Sequence, residues 1–157
     1  MIVQTKNTDL VQPLFERYIW HMKQYHEIND VTAWKEGAYQ YFNLYASEPE
    51  RKLYYTSTSE EEIFGFAMLN NIYRFNSTGT VVAEFYIAPD MTGQGHGKAL
   101  AEYVFSSHPG EWEVSVMSAN AVGLKFWEKV ISKYTNGKFT IQTKDSYDGK
   151  GFIFNNV

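Results

Sequence analysis

Residues 84–100 read Glu84-Phe85-Tyr86-Ile87-Ala88-Pro89-Asp90-Met91-Thr92-Gly93-Gln94-Gly95-His96-Gly97-Lys98-Ala99-Leu100. The pattern predicts a strand that ends at Pro89, a glycine-rich turn, and a helix that begins directly after the turn. Glycine lets the backbone approach a phosphate closely, and the first amides of a helix present free N–H groups to it. The segment therefore predicts a binding site for a pyrophosphate.

Two common nucleotide-binding motifs fit this segment poorly. A Walker loop requires serine or threonine after its lysine, but Ala99 follows Lys98. A Rossmann fingerprint requires its third glycine three residues after the second, within the first βαβ unit. Here Gly93, Gly95 and Gly97 alternate with other residues, and they lie past the middle of the chain. The glycines by themselves do not identify the ligand.

The elements on either side predict a mixed α/β sheet. Apolar periodicity predicts one helix that begins after Asn7 or Thr8 and a second, over residues 34–45, that ends before Pro49. After a short extended segment at Val3, strands are predicted at 52–57, 63–69, 80–88, 112–117, 138–143 and 151–154, and further helices at 97–106 and 120–132. Helices that flank a meander passing into βαβ units favour a sheet covered on both faces.

Composition excludes several kinds of chemistry. The 157 residues suit one domain with a sizeable core, and they include no cysteine, which excludes disulfides, thiolate metal sites and a cysteine acyl-enzyme. The net charge is −4 and no basic stripe is present, so a nucleic-acid partner is not expected. No window approaches the ~20 apolar residues of a membrane span, and no signal peptide is evident. We therefore expect a cytoplasmic protein without a membrane partner.

A second motif lies downstream, Asn120-Ala121-Val122-Gly123-Leu124-Lys125-Phe126-Trp127-Glu128-Lys129. Together with residues 84–100 it resembles the two signature motifs of the GNAT superfamily of N-acetyltransferases, in order and in separation. The resemblance covers residues 84–131 by motif and the rest of the chain by its pattern of elements. It implies one GNAT domain over residues 1–157, of the α/β (α+β) class, with a mixed, mostly antiparallel sheet of six to seven strands and helices on both faces. In residues such as Trp112-Glu113-Val114 and Tyr134-Thr135, the chain also resembles a subgroup of small bacterial acetyltransferases.

The resemblance implies acetyl-CoA as cosubstrate and assigns residues to it. The main chain of Phe85, Tyr86 and Ile87 would pair with the pantetheine arm, and Asn120 and Phe126 would contact the cofactor from the second motif. The pyrophosphate would be held by the amides of the loop, which comprises Thr92, Gly93, Gln94, Gly95, His96, Gly97 and Lys98.

The implied reaction is direct transfer of the acetyl group to the primary amine of a small molecule or peptide. Glu84 is the candidate general base, with an ordinary ion-paired carboxylate as the alternative. Thr92 stands where the family usually has arginine or glutamine, and Trp127 stands where many members have the tyrosine that protonates the leaving thiolate. An indole is not a usable acid, so water, Tyr134 or Tyr86 would take that role.

The acceptor pocket is predicted less directly. In the family the first two helices wall it, so Tyr25 and Tyr39, which lie off the apolar stripes, are candidate contacts for the amine through cation–π interaction. His21 and His26 do not share a helical face, and no metal site is expected. The sequence leaves open the acceptor, the length of the acyl group, the general acid and the oligomeric state, although dimers are common in the family. It also leaves open a binding protein for acyl-CoA with little catalysis.

Overall fold

The computed structural model describes residues 1–25 and 40–157, which form one seven-stranded sheet with helices on both faces. The strands are β1 (Ile2–Thr5), β2 (Lys52–Ser57), β3 (Ile63–Asn70), β4 (Thr80–Ile87), β5 (Glu111–Met117), β6 (Thr140–Lys144) and β7 (Tyr147–Asn155). The helices are α1 (Thr8–Met22), α2 (His96–Ser107) and α3 (Ala121–Tyr134). Short 3-10 turns lie at Lys23–Tyr25, Leu44–Ala46 and Pro89–Met91. Within the described ranges, no helix has the length and apolar character that a membrane span requires.

The sheet order is β1-β2-β3-β4-β5-β7-β6. All neighbouring strands pair antiparallel except β4 and β5, which are parallel and are connected through α2. The sequence-based prediction of a mixed, mostly antiparallel sheet is confirmed.

Side-chain alternation along the strands divides the interior into two cores, one on each face of the sheet. On one face α1 and the turn at Leu44–Ala46 cover Leu53, Phe66 and Met68, and Phe15 stacks on Phe42 at 4.3 Å between ring centroids. On the other face α2 and α3 cover a cluster built around Trp112, in which Phe105 meets the Trp112 and Phe154 rings edge-on, each at 4.9 Å. The first core fixes α1 against one face of the sheet, and the second fixes α2 and α3 against the other.

The parallel strands β4 and β5 separate after a short stretch of pairing, which ends at Val82 and Val114. Beyond this point β4 stays paired with β3, and β5 stays paired with β7. A bulge occurs here, because Val82 and Glu84 face consecutive residues of β3 and Ala83 faces none. Bulges bend a strand and increase its twist. The edge of residues 84–87 that faces away from β3 therefore borders a cleft and not a neighbouring strand.

Element boundaries agree with the sequence-based prediction to within a few residues, with two exceptions. The first half of the predicted helix over residues 34–45 lies outside the described residues, and its second half is seen as helical residues 40–43 and the Leu44–Ala46 turn. The last strand begins at Tyr147 and not at Gly151. Gly151 lies inside the strand, where a Cβ would lie 2.4 Å from the Phe75 ring, so glycine permits close packing there.

The loop after β3 is anchored by a buried carboxylate that the sequence analysis did not single out. Glu113 on β5 is 1% exposed, and its two oxygens accept hydrogen bonds from the backbone N–H groups of Arg74, Phe75 and Asn76, at 2.7, 2.8 and 2.6 Å. A buried charge is tolerated when its lone pairs are satisfied in this way. Glu113 thus fixes the main chain of residues 74–76 to the sheet.

We expect Glu113→Gln to lower the free energy of unfolding by about 1–3 kcal/mol, because an amide nitrogen facing these N–H groups leaves at least one of them without an acceptor. Urea denaturation followed by circular dichroism measures the change. Glu50→Gln, at an exposed position with no hydrogen bond in the described residues, is the matched control and should stay within ~0.5 kcal/mol of the parent. Equal stability of the two variants would contradict the anchoring role.

Candidate active site

The glycine-rich turn presents a row of free backbone amides. Within the described residues, no backbone N–H from residue 93 to residue 98 donates to an acceptor. Gly95 caps α2 with a left-handed φ of 83°, and no side chain caps the helix. The first N–H groups of a helix, together with its dipole, favour an anion at this position. The turn is therefore suited to a phosphate group.

The side chains of this turn point to its own backbone or to the core. Thr92 Oγ1 donates to the Pro89 carbonyl at 2.8 Å, and Gln94 Nε2 donates to the Asp90 carbonyl at 3.5 Å. The His96 ring packs edge-on against Phe64 at 4.6 Å. Gln94 and His96 thus contribute their main chain to the amide row, whereas the Thr92 N–H donates to the Pro89 carbonyl at 3.4 Å and is not part of it.

A cleft of about 750 Å³ runs from this turn along the open edge of β4. Of the residues predicted to bind the cofactor, it is lined by Phe85, Tyr86, Ile87, Thr92, Gly93, Gly95, Gly97, Lys98, Asn120 and Phe126. Gln94 and His96 do not line it. Three lysines, Lys98, Lys129 and Lys133, also border the cleft and make it attractive to anions.

The far wall of the cleft is the start of α3. Asn120 Oδ1 accepts a hydrogen bond from the Gly123 N–H at 2.9 Å and caps the helix, which leaves the Asn120 side-chain amide nitrogen as a donor. Phe126 packs so closely on the turn that a Cβ at Gly97 would lie 2.9 Å from its ring. The second predicted motif therefore shapes the same cleft as the first.

A second cavity of about 840 Å³ lies on the other side of β4, where the strands part. The two cavities meet, because both are lined by Tyr18, Met22, Phe85, Asn120 and Trp127. Glu84 lines the second cavity next to this junction. A ligand in the first cavity and a ligand in the second would thus come together beside Glu84.

Glu84 is held by a tyrosine that the sequence analysis did not assign to the site. The hydroxyl of Tyr18, on α1, donates to Glu84 Oε2. Burial raises the pKa of Glu84 to about 7, and the hydrogen bond from Tyr18 opposes this increase. Burial and the neighbouring Glu84 carboxylate raise the pKa of Tyr18 well above its ordinary value, so Tyr18 stays a neutral donor. Near neutral pH Glu84 can therefore both accept and release a proton.

Two residues that the sequence analysis assigned to the site do not lie where the two cavities meet. The hydroxyl of Tyr134 lies 3.1 Å from Ser106 Oγ and accepts from Asn156 Nδ2 at 3.3 Å, and its ring packs in the core 5.2 Å from Phe105. Tyr134 lines neither cavity, because its side chain lies on the side of α3 that packs against α2 and Asn156. The prediction of Tyr134 as a general acid is therefore corrected, and the residue belongs to the core.

The second of these residues is Tyr25, which was predicted to contact the acceptor. It lines the first cavity, together with most of the residues predicted to bind the cofactor, and does not line the second. Tyr39 lies outside the described residues. Trp127 lines both cavities and packs edge-on against Phe85 at 4.8 Å, so the indole does occupy the junction. Within the described part of the chain, no group of three or more histidine, aspartate or glutamate side chains could hold a metal ion.

The sequence analysis missed the residues at the outer end of the second cavity, which include Tyr73, Arg74, Ser115, Lys144, Tyr147 and Asp148. They come from the loop after β3, from β5, and from the β6–β7 turn. No spacing in the sequence relates these three segments; the sheet order alone brings them together.

The protein is thus an α/β protein in which one strand edge lies open beside the unpaired N–H groups of a helix N-terminus. This arrangement suits an extended ligand that carries phosphates. The sequence profile of the acetyltransferase (GNAT) family matches residues 15–131. The chain belongs to this family, as its two motifs predicted.

Similar proteins include acetyltransferases with different acceptors in their names. Over 88 residues the chain is 34% identical to the peptidyl-lysine N-acetyltransferase YjaB of Salmonella typhimurium, and the match spans 55% of this chain and 54% of that protein. The chain thus matches about half the length of this curated relative.

Solved structures share the fold at low sequence identity. An acetyltransferase from Thermus thermophilus aligns with a TM-score of 0.67 and 14% identity, covering 99% of this chain and 97% of that one. The spermidine N-acetyltransferase of Vibrio cholerae, solved with CoA and spermine, aligns with a TM-score of 0.62 and 12% identity, covering 99% and 94%. At such identities the comparison supports the fold.

We expect Glu84→Gln to stabilise the protein relative to the parent by an amount that grows as the pH rises from about 4.5 to about 7. The pKa of Glu84 is about 7 in the folded protein, above its ordinary value of 4.5. Between these two pH values the carboxyl is ionised in the unfolded chain but still protonated in the folded one. The free energy of unfolding of the parent therefore falls as the pH rises through this interval. Glutamine does not titrate and is free of this loss.

Urea denaturation of parent and variant at pH 4, 5, 6, 7 and 8 measures the difference. Glu128→Gln, at an exposed position on α3, is the control. A constant difference between E84Q and the parent at all five pH values would show that Glu84 is not buried as described.

Proposed function

We propose that the protein is an acetyl-CoA-dependent N-acetyltransferase that transfers the acetyl group directly to a primary amine of a small molecule or a peptide. The observation that carries this proposal is the meeting of two cavities beside Glu84, at the point where β4 and β5 separate. Family membership supports the reaction class. The names of similar proteins, which refer to lysine and spermidine acceptors, support an amine as the acceptor.

The residues of the first cavity fit acetyl-CoA. The free amides of residues 93–98 suit its pyrophosphate, Lys98, Lys129 and Lys133 suit its phosphate charge, and the open edge of β4 offers backbone groups to its pantetheine amides. When bound, this molecule supplies an acetyl thioester, whose carbonyl carbon accepts the amine. Asn120 Nδ2 provides a further donor at the junction.

The protein's main contribution is to position the two reactants. Holding both in adjoining cavities converts a bimolecular reaction into an effectively unimolecular one, which can lower the barrier by about 7–11 kcal/mol. A backbone N–H on the open edge of β4 near Ile87 is placed to polarise a carbonyl, and such a donor contributes on the order of 3 kcal/mol. No covalent intermediate on the protein is needed.

Glu84 acts as the general base in this proposal. An alkyl amine with a pKa near ~10.4 arrives protonated and must lose a proton before it attacks. With its pKa at about 7, Glu84 is ionised enough at neutral pH to accept that proton, directly or through water. Tyr18 holds the carboxylate at the junction and keeps its pKa from rising further.

The leaving thiolate takes its proton from water or from Tyr86. Trp127 occupies the junction, but its indole N–H can only donate a hydrogen bond. Tyr86 lines the first cavity, and burial raises its pKa, which keeps its hydroxyl protonated.

A second candidate function follows from the presence of Trp127 in place of an acidic tyrosine. A GNAT-fold protein that binds acyl-CoA but catalyses little, acting as a sensor or interaction module, would have no need of an acid at this position. Amine-dependent release of free CoA distinguishes the enzyme from such a module.

We further propose that residues 1–157 form one domain that acts in the cytoplasm. The sheet supports the first point, since it includes strands from both ends of the chain, β1 and β7. A lack of cysteine suits a reducing compartment. A homodimer remains an expectation from the family resemblance.

We expect acetyl-CoA at a hundredfold excess over its dissociation constant to stabilise the protein by ~2.7 kcal/mol, which raises the melting temperature by roughly 5–10 °C. Gly95→Ala should weaken binding by about tenfold or more. A Cβ at this capping position disturbs the amide row, and each charge-assisted hydrogen bond is worth ~1.5–3 kcal/mol. Differential scanning fluorimetry with increasing acetyl-CoA gives both quantities.

Gly137→Ala is the matched control. Gly137 has a φ of 79°, close to the 83° of Gly95, and at both positions no described atom lies within 4 Å of where a Cβ would be, so the backbone strain is similar. Gly137 lies after α3 and outside both cavities. Equal dissociation constants for G95A and G137A would place the cofactor elsewhere.

We expect kcat/KM to rise with pH through about 7 as Glu84 loses its proton. In Tyr18→Phe this rise should move to higher pH, because the hydrogen bond that lowers the Glu84 pKa is removed. Glu84→Gln should lose this rise and reduce kcat by about 10²–10⁴. The measurement is the pH profile of CoA release from pH 5 to 9.

Tyr54→Phe is the control for loss of a buried tyrosine hydroxyl. Tyr54 OH contacts His108 Nε2 at 2.8 Å and lines neither cavity. Superimposable profiles for the parent and Y18F would refute the role of Tyr18, and a full rate in E84Q would refute that of Glu84.

A further inference from the structure

We propose that the acceptor is an amine that carries an anionic group, a carboxylate or a phosphate, at the end remote from the reacting nitrogen, and that Arg74 and Lys144 bind this group. The inference rests on the proposed N-acetyltransferase function and names the substrate class of the second cavity.

The second cavity has a catalytic end and an outer end. Its catalytic end is the junction shared with the first cavity, next to Glu84 and Tyr18. Arg74 and Lys144 line the second cavity but not the first, so they belong to the outer end. Tyr147 also belongs to the outer end, since it lines the second cavity but not the first. Burial raises its pKa, Arg74 lowers it, and Asp148 and Glu84 raise it.

Arg74 is stacked on an aromatic ring, and no described residue accepts a hydrogen bond from its guanidinium. Its guanidinium carbon lies 4.0 Å from the centre of the Tyr147 ring, and its backbone N–H donates to Glu113. A guanidinium stacked on an aromatic face keeps its N–H groups in the guanidinium plane, available to a planar anion. Within residues 1–25 and 40–157, no carboxylate lies within 4.0 Å of this guanidinium.

Lys144 places a second positive charge beside Arg74. Its ammonium group donates to the Arg74 carbonyl and lies 5.4 Å from the centre of the Phe75 ring. An ammonium has three donors, and this bond uses one of them. In the described ranges Lys144 also has no ion-pair partner. The two cations therefore meet at one loop, fixed by Glu113, and both keep donors for a ligand.

The acidic residues of the outer end do not neutralise these cations. The carboxylate of Glu113 accepts hydrogen bonds from three backbone N–H groups and forms no ion pair with Arg74 or Lys144 among the described residues. Asp148 lines the same cavity but forms no ion pair with Arg74 or Lys144 in the described chain, and its backbone carbonyl accepts from the Ser118 N–H. An anion of the ligand would thus meet two cations whose charge no ion pair compensates.

Ser115 supports a polar ligand in the same cavity. Its hydroxyl is buried and has no hydrogen-bond partner among the described residues. Ser115 lines the cavity, as does Glu113, which lies two residues before it on β5. Buried hydroxyls are normally paired, so an unpaired one in a cavity wall suggests a partner on the ligand. The same arrangement disfavours a polyamine, whose second ammonium would face Arg74 and Lys144.

The test measures kcat/KM for three matched sets of acceptors with the purified protein and acetyl-CoA. The sets are ω-amino acids with two to six carbons, alkylamines of the same length, and α,ω-diamines of the same length. Aminoalkyl phosphates form an additional arm that separates phosphate from carboxylate. At the best chain length we expect the anionic amine to exceed the alkylamine by about tenfold, and the diamine to fall below the alkylamine.

Arg74→Gln and Lys144→Gln should each reduce the ratio of anionic amine to alkylamine toward one, mainly by raising KM for the anionic amine. Lys125→Gln is the control, since Lys125 is an exposed lysine on α3 outside both cavities, and the ratio should be unchanged. Melting temperatures with and without acetyl-CoA confirm that each variant is folded and binds the cosubstrate.

Two results would overturn the inference while leaving the proposed function intact. In the first, alkylamines or diamines are acetylated with the same kcat/KM as the anionic amines. In the second, R74Q and K144Q do not change the ratio of kcat/KM for the anionic amine to that for the alkylamine. If none of these amines causes release of CoA, in protein that binds acetyl-CoA, transfer to a small-molecule amine is refuted and the inference with it.

Discussion

The separation of β4 from β5 after Val82 and Val114 is the constraint on which the site depends. Each strand keeps its other neighbour, so the sheet remains continuous while a wedge opens within it. Because Ala83 is unpaired at this point, β4 turns away, and beyond it no described strand pairs with the edge that faced β5. Both cavities exist because of this wedge, one on each side of the Glu84–Phe85 segment.

The two cores keep the wedge open from opposite faces. α1 is packed on one face and brings Tyr18 to Glu84, while α2 and α3 are packed on the other and bring the amide row and Asn120 to the cleft. Trp127 fills the junction from α3, against Phe85. The site is thus assembled from elements that each bury an apolar face elsewhere, which gives its polar groups a rigid support.

The sequence predicted the parts of the site that are local in the chain. The amide row and the cap at Asn120 depend on contiguous residues whose geometry follows from glycine positions and helix starts, and Glu84 lies within the same segment. The hydrogen bond between Tyr18 and Glu84 joins residues 66 apart. Tyr134 was misplaced because its side chain faces Ser106 and Phe105 of α2 and not the cleft. Periodicity indicates which residues are buried but not what they touch across the sheet. The outer end of the second cavity could not be predicted for the same reason, since three separate segments form it.

The carboxylate of Glu113 binds the loop after β3 only through main-chain N–H groups. Such an anchor does not depend on the identity of the side chain at position 74, because every residue except proline supplies the same donor. The loop can therefore exchange the group that it presents to the acceptor while its path over the sheet stays the same. Acceptor preference can diverge at this position between relatives without altering the cosubstrate cleft or the scaffold that supports it.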